Sequence, residues 1–171
     1  LLVLAYCSMW IVDGWLSEID ANLRLLLACV IEIFVFTGLS GIALLRNRFI
    51  QTVTYLGMVN DAFVATQLIL ITGYQSSPFQ YLYMIIPLYG GIILQKKGGL
   101  IGAGIVCLAV YTLYYVIQVA LDDVPVIVRE VVSLNYLQQY DASRALFLCL
   151  AAVGVGLLTG QLAHLYARAQ F

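Results

Sequence analysis

The hydrophobic residues of this chain form long runs, and short polar turns separate one run from the next. A helix needs ~20 mostly apolar residues to cross the hydrocarbon core of a bilayer. Because only helices and closed barrels satisfy their own backbone in lipid, runs of this length predict transmembrane helices. The pattern predicts six spans, at about 1–15, 23–45, 50–73, 78–94, 99–121 and 145–166. We therefore expect an all-α membrane protein, a six-transmembrane-helix bundle that forms one domain over residues 1–171.

The basic residues of the turns predict the orientation of this bundle, because cytoplasmic loops carry an excess of Lys and Arg. When sides are assigned by alternation, the turns after the second and fourth spans and the exit from the sixth share one side. The cations of that side are Arg46, Arg48, Lys96, Lys97 and Arg168, and no acid accompanies them. That side is predicted to be cytoplasmic, which places both termini in the cytoplasm.

A longer segment, at about 122–143, lies on the opposite side of the predicted bundle. Its apolar positions recur at helical spacing and are Val124, Ile127, Val128, Val131 and Val132. Asp122 and Asp123 are placed to cap such a helix, with Pro125 near its first turn. Amphipathic helices rest at membrane surfaces. The sequence therefore predicts an amphipathic helix lying on the outer leaflet.

Composition places the chain in lipid rather than in water. Hydrophobic residues make up 63% and charged residues 10% of the chain, whereas soluble domains average ~45–50% apolar and ~25% charged residues. The 8 Lys and Arg residues against 9 Asp and Glu residues leave no positive charge to attract nucleic acid. These values exclude a disordered chain and a nucleic-acid-binding protein. Since the chain begins at Leu1 without a Met and ends at Phe171 inside a helix-like stretch, we expect it to be a segment of a longer protein.

Two acidic side chains interrupt the predicted spans and are candidates for a functional role. Asp61 lies near the middle of the third span beside Asn60, and Glu32 lies in the second span. A charge at that depth costs ~2.5 kcal/mol or more, so each acid must be neutral, paired or turned toward the bundle interior. Asp61 is either a switch, whose hydrogen bonds differ between two helix packings, or a carboxyl group that holds the bundle together. The same two interpretations apply to Glu32, where the structural one is favoured because the case rests on one residue.

Proline and small residues mark places where the helices bend or approach closely. Pro87 interrupts the fourth span and predicts a kink, either a hinge or a fixed bend, because it removes a backbone hydrogen bond. Ala152, Gly156 and Gly160 repeat every four residues along the sixth span. Small residues at this spacing let two helix backbones meet, within one chain or between two copies, and packing within the chain is the commoner case.

The sequence contains no pattern for catalysis or metal binding. Its cysteines, Cys7, Cys29, Cys107 and Cys149, lie far apart inside apolar runs, where they behave as small hydrophobic residues. His164, the sole histidine, ends the sixth span without a second ligand nearby. A phosphate-cradling loop and a nucleophile–base arrangement are absent. We therefore expect no catalytic residue, no metal site and no cofactor in this segment.

The middle and the end of the chain carry an ordered set of short motifs. They are Asp61–Thr66, Ile71–Gly73, Ser77-Pro78-Phe79, Tyr81–Pro87, Leu94–Ile101, Tyr111–Tyr115 and Gly160–Leu165. In this order, and with six spans, the set resembles the N-terminal membrane domain of PilS-type sensor histidine kinases. The resemblance covers roughly residues 50–170, whereas the first two spans match only as hydrophobic helices.

The resemblance implies a multi-pass sensor domain of a two-component system in the inner membrane of a bacterium. A signal would change how the spans pack, and the sixth span would pass the change to the cytoplasmic autokinase domains of a homodimer. By the same resemblance, the signal is a membrane-embedded protein such as pilin, in the regulation of type IV pili. The candidate sensing or switch residues are Asp61, Asn60, Glu32, Ser77, Pro78, Phe79 and Pro87, and the candidate residues for helix packing and signal exit are Ala152, Gly156 and Gly160.

The enzymatic activity that the resemblance implies belongs to domains outside this segment. The parent chain would be a histidine kinase, an ATP-dependent protein-histidine phosphotransferase that passes its phosphoryl group to a response regulator. ATP and Mg are expected only in that kinase domain. The phosphoacceptor and ATP-binding boxes of such kinases are absent from the 171 residues, as expected if the segment ends before them.

Two alternatives from other functional classes stay open. One is a small-solute membrane transporter or its substrate-binding subunit, in which Asp61, Asn60, Gln67 and Glu32 would line a site near the midplane. The other is a structural anchor that dimerises a cytoplasmic enzyme without sensing. The sequence after Phe171 discriminates between them, because a helix leading to a phosphoacceptor box indicates the kinase and a stop codon favours the transporter.

Overall fold

A computed structural model of the chain describes residues 8–12, 14, 19–45, 50–73, 77–118, 123–135 and 142–169. Within these ranges the regular backbone is helical, and no strand is present. The helices are α1 (Ala21–Leu45), α2 (Ile50–Ile71), α3 (Leu82–Gln118), α4 (Val126–Asn135) and α5 (Ala142–Ala169), and a short 3-10 helix at Pro78–Tyr81 precedes α3. The all-α prediction is confirmed. The predicted first span lies mostly outside the described residues, of which 8–12 and 14 are helical.

Four helical segments of the described ranges are long and apolar enough to cross a membrane. They are Ala21–Ala43, Gln51–Ile71, Pro78–Gln118 and Ala142–Ala169. Three of them begin and end close to predicted spans, because a long apolar run in lipid has no alternative to the helix. The segment beginning at Pro78 has 41 residues and covers two predicted spans.

α3 is too long for one crossing and folds back on itself at Gln95. Its 37 residues would extend ~55 Å as a straight helix, whereas the hydrocarbon core is ~30 Å thick. Within α3, Gln95 alone has non-helical backbone angles (φ 56°, ψ −146°). The two legs of α3, residues 82–94 and 96–118, overlap the predicted spans 78–94 and 99–121.

The legs of α3 lie side by side and run in opposite directions. A Cβ atom placed on Gly90 would lie 2.8 Å from the Gly98 carbonyl oxygen, and one placed on Gly102 would lie 2.9 Å from Pro87 Cα. Contacts between residues at similar distances before and after Gln95 are those of a hairpin. Pro87 keeps helical backbone angles, so the chain reverses at Gln95 and not at the proline.

The other described helices pack on this hairpin or on its neighbours. α5 packs along it, α2 contacts both α1 and α3, and α4 contacts α1 and α2. The core contains large apolar side chains with at most 2% of their surface exposed, including Met58, Ile69, Tyr83, Ile86 and Val106. Many other apolar side chains are exposed, which suits a protein whose surroundings are lipid tails.

α4 is amphipathic, as its sequence predicts, but its apolar face packs on other helices of the chain. Ile127 and Val131 are fully buried, and α4 contacts α1 and α2. Near the start of α1, the buried Arg24 forms an ion pair with Glu130 of α4. Its buried residues therefore pack on protein, since neighbouring helices remove apolar surface from water as effectively as lipid does.

Candidate functional site

Asp61 lies midway along α2, and a side chain of α3 holds its carboxylate. The Tyr89 hydroxyl donates a hydrogen bond to Asp61 Oδ2 at 2.9 Å. Asp61 is on an exposed side of α2, whereas its neighbours Asn60 and Ala62 are buried. One neutral donor compensates only part of the cost of a carboxylate at this depth. The hydrogen bond joins α2 to the first leg of α3, and it is compatible with both a switch and a structural role.

A second tyrosine joins the same two helices. Thr66 Oγ1 donates to the Ala62 carbonyl oxygen at 2.7 Å, so its single hydrogen is already used. The Tyr83 hydroxyl lies 2.8 Å from Thr66 Oγ1 and is therefore the donor in that hydrogen bond. Tyr83 is only 1% exposed. The contact between α2 and α3 thus contains two tyrosine hydrogen bonds, one buried and one at the surface.

Ser77, Pro78 and Phe79 begin the short helix that leads into α3. Ser77 Oγ accepts from the Phe79 backbone N–H at 3.2 Å, as an N-cap residue does, and Pro78 occupies the first turn. Thr72 Oγ1 donates to the Leu68 carbonyl oxygen at 2.7 Å, so Ser77 is the donor in the 2.6 Å contact between the two hydroxyls. Phe79 is half-buried against the core, and Pro78 is exposed. The motif therefore ties the end of α2 to the start of α3.

Glu32 belongs to a buried polar network between α1 and α2. Gln67 Nε2 donates to Glu32 Oε2 at 3.0 Å, and the Cys29 thiol donates to Gln67 Oε1 at 2.6 Å. The three side chains are between 1% and 4% exposed. The other carboxylate oxygen, Oε1, is buried and has no partner among the described residues. Among the described residues, the Glu32 carboxylate therefore accepts a hydrogen bond from one side chain, that of Gln67.

Asn60 lies on the same face of α2 as Gln67, because the two are seven residues, or about two helical turns, apart. It is 3% exposed, and within the described ranges its side-chain oxygen has no hydrogen-bond partner. We name Cys29, Glu32, Asn60 and Gln67 the α1–α2 seam. Two buried acceptor oxygens of the seam, on Glu32 and Asn60, have no donor in the part of the chain that the structure describes.

Ala152, Gly156 and Gly160 form the face of α5 that packs on the α3 hairpin. All three are buried. A Cβ atom on Gly160 would lie 2.8 Å from Lys96 Cα, and one on Gly156 would collide with the Gly99 backbone. The close approach that the spacing predicts therefore occurs within the chain, between α5 and α3.

Pro87 lies where α5 crosses the hairpin. It is buried, and a Cβ atom on Gly156 would lie 3.3 Å from its ring. The Thr159 hydroxyl lies 3.4 Å from the Pro87 carbonyl oxygen, although its shorter hydrogen bond goes to Val155 at 2.7 Å. Pro87 thus contacts the second leg of α3 on one side and α5 on the other.

The structure does not gather the candidate residues into one site. Glu32 and Gln67 meet in the α1–α2 seam, whereas Asp61 bonds to Tyr89 on a different side of α2. Sequence patterns give Tyr83 and Tyr89 no role, because a tyrosine in an apolar run resembles any core or interface aromatic residue. The sequence feature that indicates Tyr89 is Asp61 in the neighbouring span, because this acid needs a hydrogen-bond donor.

The described residues contain no group of three or more His, Cys, Asp or Glu side chains that could hold a metal ion. Comparison with known proteins assigns no family to this geometry. No protein-family model matches the chain, and no curated protein or solved structure matches it. The structure itself establishes an all-α chain with membrane-length helices, several polar contacts between helices and a last helix that packs through glycines.

Proposed function

We propose that this chain is the membrane-embedded sensor domain of a two-component sensor histidine kinase, which passes a rearrangement of its helices to cytoplasmic autokinase domains. The proposal rests first on the ordered motifs between residues 50 and 170, which resemble those of PilS-type kinases. It rests also on the helical, apolar character of the chain, which has room for little besides helices and turns.

The proposal includes six spans with both termini in the cytoplasm, namely the N-terminal helix, α1, α2, the two legs of α3, and α5. Lys96, at the reversal of α3, lies against Gly160 near the end of α5. The basic turn and the last turns of α5 therefore share one end of the bundle. The Arg24–Glu130 ion pair holds α4 at the start of α1, and α1 leads away from it. The excess of basic residues favours the Lys96 end as the cytoplasmic one.

The observation that carries the proposal is the backbone contact between α5 and the α3 hairpin. At Gly99, Gly156 and Gly160 the nearest atoms across this contact belong to the backbone. Close-packed helices move as units and have a few discrete arrangements, because their interiors do not deform continuously. A shift of the hairpin therefore moves α5, and α5 would lead directly into the cytoplasmic domains.

Asp61 is the proposed switch at the other side of the hairpin. Its hydrogen bond from Tyr89 joins α2 to the first leg of α3. A signal that added or removed a donor at the exposed carboxylate would change this contact, and the hairpin would transmit the change to α5. Glu32, Asn60 and the turn formed by Ser77, Pro78 and Phe79 would set the packing of the neighbouring helices.

The partners in this proposal follow from the resemblance. The chain would act in the bacterial inner membrane as part of a homodimer, and a membrane-embedded helix such as that of pilin would provide the signal by packing against it. ATP, Mg and the response regulator would bind the kinase domains beyond this segment.

Kinase output of the intact protein in lipid vesicles tests the proposal. Asp61→Asn, Asp61→Leu and Tyr89→Phe are expected to change basal or stimulated autophosphorylation, because each alters the contact between α2 and α3. Tyr81→Phe is the matched control, since Tyr81 is 77% exposed in the same helical region. Unchanged output in both Asp61 variants would refute the switch, and a parent protein without kinase activity would refute the sensor domain.

One observation favours a second candidate function, a small-solute transporter. The α1–α2 seam presents two buried acceptor oxygens, on Glu32 and Asn60, that lack a donor among the described residues. Uptake into vesicles that contain the chain alone is the direct measurement. Solute accumulation abolished by both Glu32→Gln and Asn60→Leu would support transport, whereas vesicles as impermeable as those without protein would exclude it.

A further inference from the structure

The α1–α2 seam contains a chain of hydrogen bonds that ends at an unsatisfied atom. Cys29 donates to Gln67 at 2.6 Å, and Gln67 donates to Glu32 Oε2 at 3.0 Å. Each donor in this series of hydrogen bonds points toward the Glu32 carboxylate, which is the arrangement that a charged Glu32 requires. Glu32 Oε1, however, is buried and accepts from none of the described residues. A carboxylate with one desolvated, unpartnered oxygen is costly, and uptake of a proton removes that cost.

We propose that Glu32, Gln67 and Cys29 form a proton-binding site between α1 and α2, in which the Gln67 amide takes one of two orientations according to whether Glu32 carries a proton. A hydronium ion of the surrounding water supplies the proton, becomes a water molecule, and leaves an O–H bond on Glu32 Oε2. This oxygen, unlike Oε1, has a hydrogen-bonding group within reach, but Gln67 presents its NH2 group to it, so two donors then face each other. A half-turn of the amide resolves this conflict, because Gln67 Oε1 then accepts from Glu32 and Nε2 donates to Cys29 Sγ.

The thiol makes both orientations possible. A thiol is a weak donor and a weak acceptor, so Cys29 can follow the amide in either state. Cys29 and Glu32 lie one helical turn apart on α1, and both are held against Gln67. Glu32 and Cys29 therefore each bond to one end of the same amide group, so the protonation state of Glu32 determines the hydrogen bond of Cys29.

Two charged side chains near the seam, Arg24 and Asp61, have partners other than Glu32. Arg24 lies eight residues before Glu32, ~12 Å along α1, and pairs with Glu130 of α4. Asp61 of α2 accepts from Tyr89, and Arg129 is the other charged residue of α4. Proton uptake in the seam is therefore assigned to Glu32. The inference does not depend on the proposed function, because a sensor and a transporter could each contain such a site.

Infrared difference spectroscopy of the chain in phospholipid vesicles tests the proposal. A protonated carboxyl group has a C=O band distinct from that of a carboxylate, and the S–H band of a thiol shifts with its hydrogen bonding. Cys7→Ala, Cys107→Ala and Cys149→Ala leave Cys29 as the single thiol, and Asp61→Asn removes the other intramembrane acid. As pH falls, a carboxyl band is expected to grow and the Cys29 S–H band to shift with the same midpoint.

Two variants distinguish proton uptake by Glu32 from the reorientation of the Gln67 amide. Glu32→Gln is expected to abolish that carboxyl band and make the S–H band independent of pH. Gln67→Leu is expected to keep a pH-dependent carboxyl band but leave the S–H band constant, because no amide couples the two groups. Circular dichroism checks that each variant keeps its helices, and the Gln67 variant provides the test if Glu32→Gln does not fold.

Three results would overturn the proposal. The first is a Glu32→Gln variant that keeps the carboxyl band with the midpoint of the S–H shift, since the other Asp and Glu residues contribute equally to the spectra with and without this substitution. The second is an S–H band that stays constant while Glu32 titrates in the presence of Gln67. The third concerns the ligand. Replacing sodium and potassium by choline at constant pH is expected to leave both bands unchanged, and a shift on replacement would assign the site to a metal cation instead.

Discussion

Gly156 of α5 lies against Gly99 of α3 with no side chain between the two backbones. A Cβ atom on Gly156 would come within 2.9 Å of the Gly99 carbonyl carbon, closer than real contacts allow. Neither helix has a flexible side chain at this point that could move aside. Only the hydrogen atoms of these two glycines lie between the backbones, so a larger residue at either position must push α5 away from the hairpin.

Gly156→Ala should consequently destabilise the bundle. We expect a loss of ~1–3 kcal/mol in the free energy of unfolding, the usual range for added volume in a close-packed interior. Gly154→Ala is the matched control two residues away, because a Cβ atom there meets no described atom within 4 Å. Reversible unfolding in mixed micelles measures both. Equal stability of the two variants would contradict the close packing.

Removal of the Tyr89 hydroxyl should weaken the contact between α2 and α3. Tyr89→Phe takes away the single described hydrogen bond of Asp61, and we expect a loss of ~1–2 kcal/mol, since bonds to charged acceptors are worth more than neutral ones. Tyr81→Phe serves as the control, because Tyr81 is 77% exposed. The same unfolding measurement applies, and a Tyr89 variant as stable as the Tyr81 variant would show that Asp61 is satisfied by other means.

Ser77 Oγ accepts a hydrogen bond from the Phe79 backbone N–H at 3.2 Å and should therefore protect this N–H from hydrogen exchange. We expect Ser77→Ala to speed hydrogen exchange at the Phe79 amide and to cost ~1 kcal/mol, as the loss of a helix N-cap does. Thr72→Val removes the neighbouring hydroxyl but keeps the cap, so exchange at Phe79 should stay slow. Equally fast exchange in both variants would mean that the hydroxyl pair, and not the cap, orders the turn.

Gln95 has a backbone conformation that side chains with a Cβ atom rarely adopt (φ 56°, ψ −146°). Gln95→Gly should raise the free energy of unfolding by ~1 kcal/mol, because glycine reaches these angles without strain. Lys97→Gly, at an exposed helical position two residues later, should lower it by a similar amount. The two glycine substitutions are expected to change the free energy of unfolding in opposite directions. A loss of stability in both variants would mean that the backbone at Gln95 is not strained.

Hydrophobic runs predicted the helices well because the element itself depends on local composition. α1 begins at Ala21 and α5 ends at Ala169, close to the predicted limits 23 and 166. Ser77 and Pro78 likewise carry ordinary N-terminal signals of a helix, and the structure uses Ser77 as a cap. Such features need no knowledge of the neighbouring helices.

The partners of the polar residues were harder to predict. In a membrane helix the lipid-facing side and the protein-facing side are both apolar, so periodicity does not indicate which face is buried. Gln67 was therefore predicted only as a lining residue of the alternative transporter, and Tyr89 was not predicted at all, although one bonds to Glu32 and the other to Asp61. The helix contacts of α4 were not predicted for the same reason, since lipid and apolar helices are equally suitable neighbours for its apolar face.

Residues close together along the chain suffice to predict that it is helical and apolar and that two acids, Glu32 and Asp61, interrupt its long apolar helices. Only the packing of the helices shows that Glu32 and Asp61 belong to different contacts and that α3 reverses at Gln95. It also shows that the glycines of α5 pack within the chain. These outcomes depend on the rotation and register of one helix against another, which arise only when distant segments pack together.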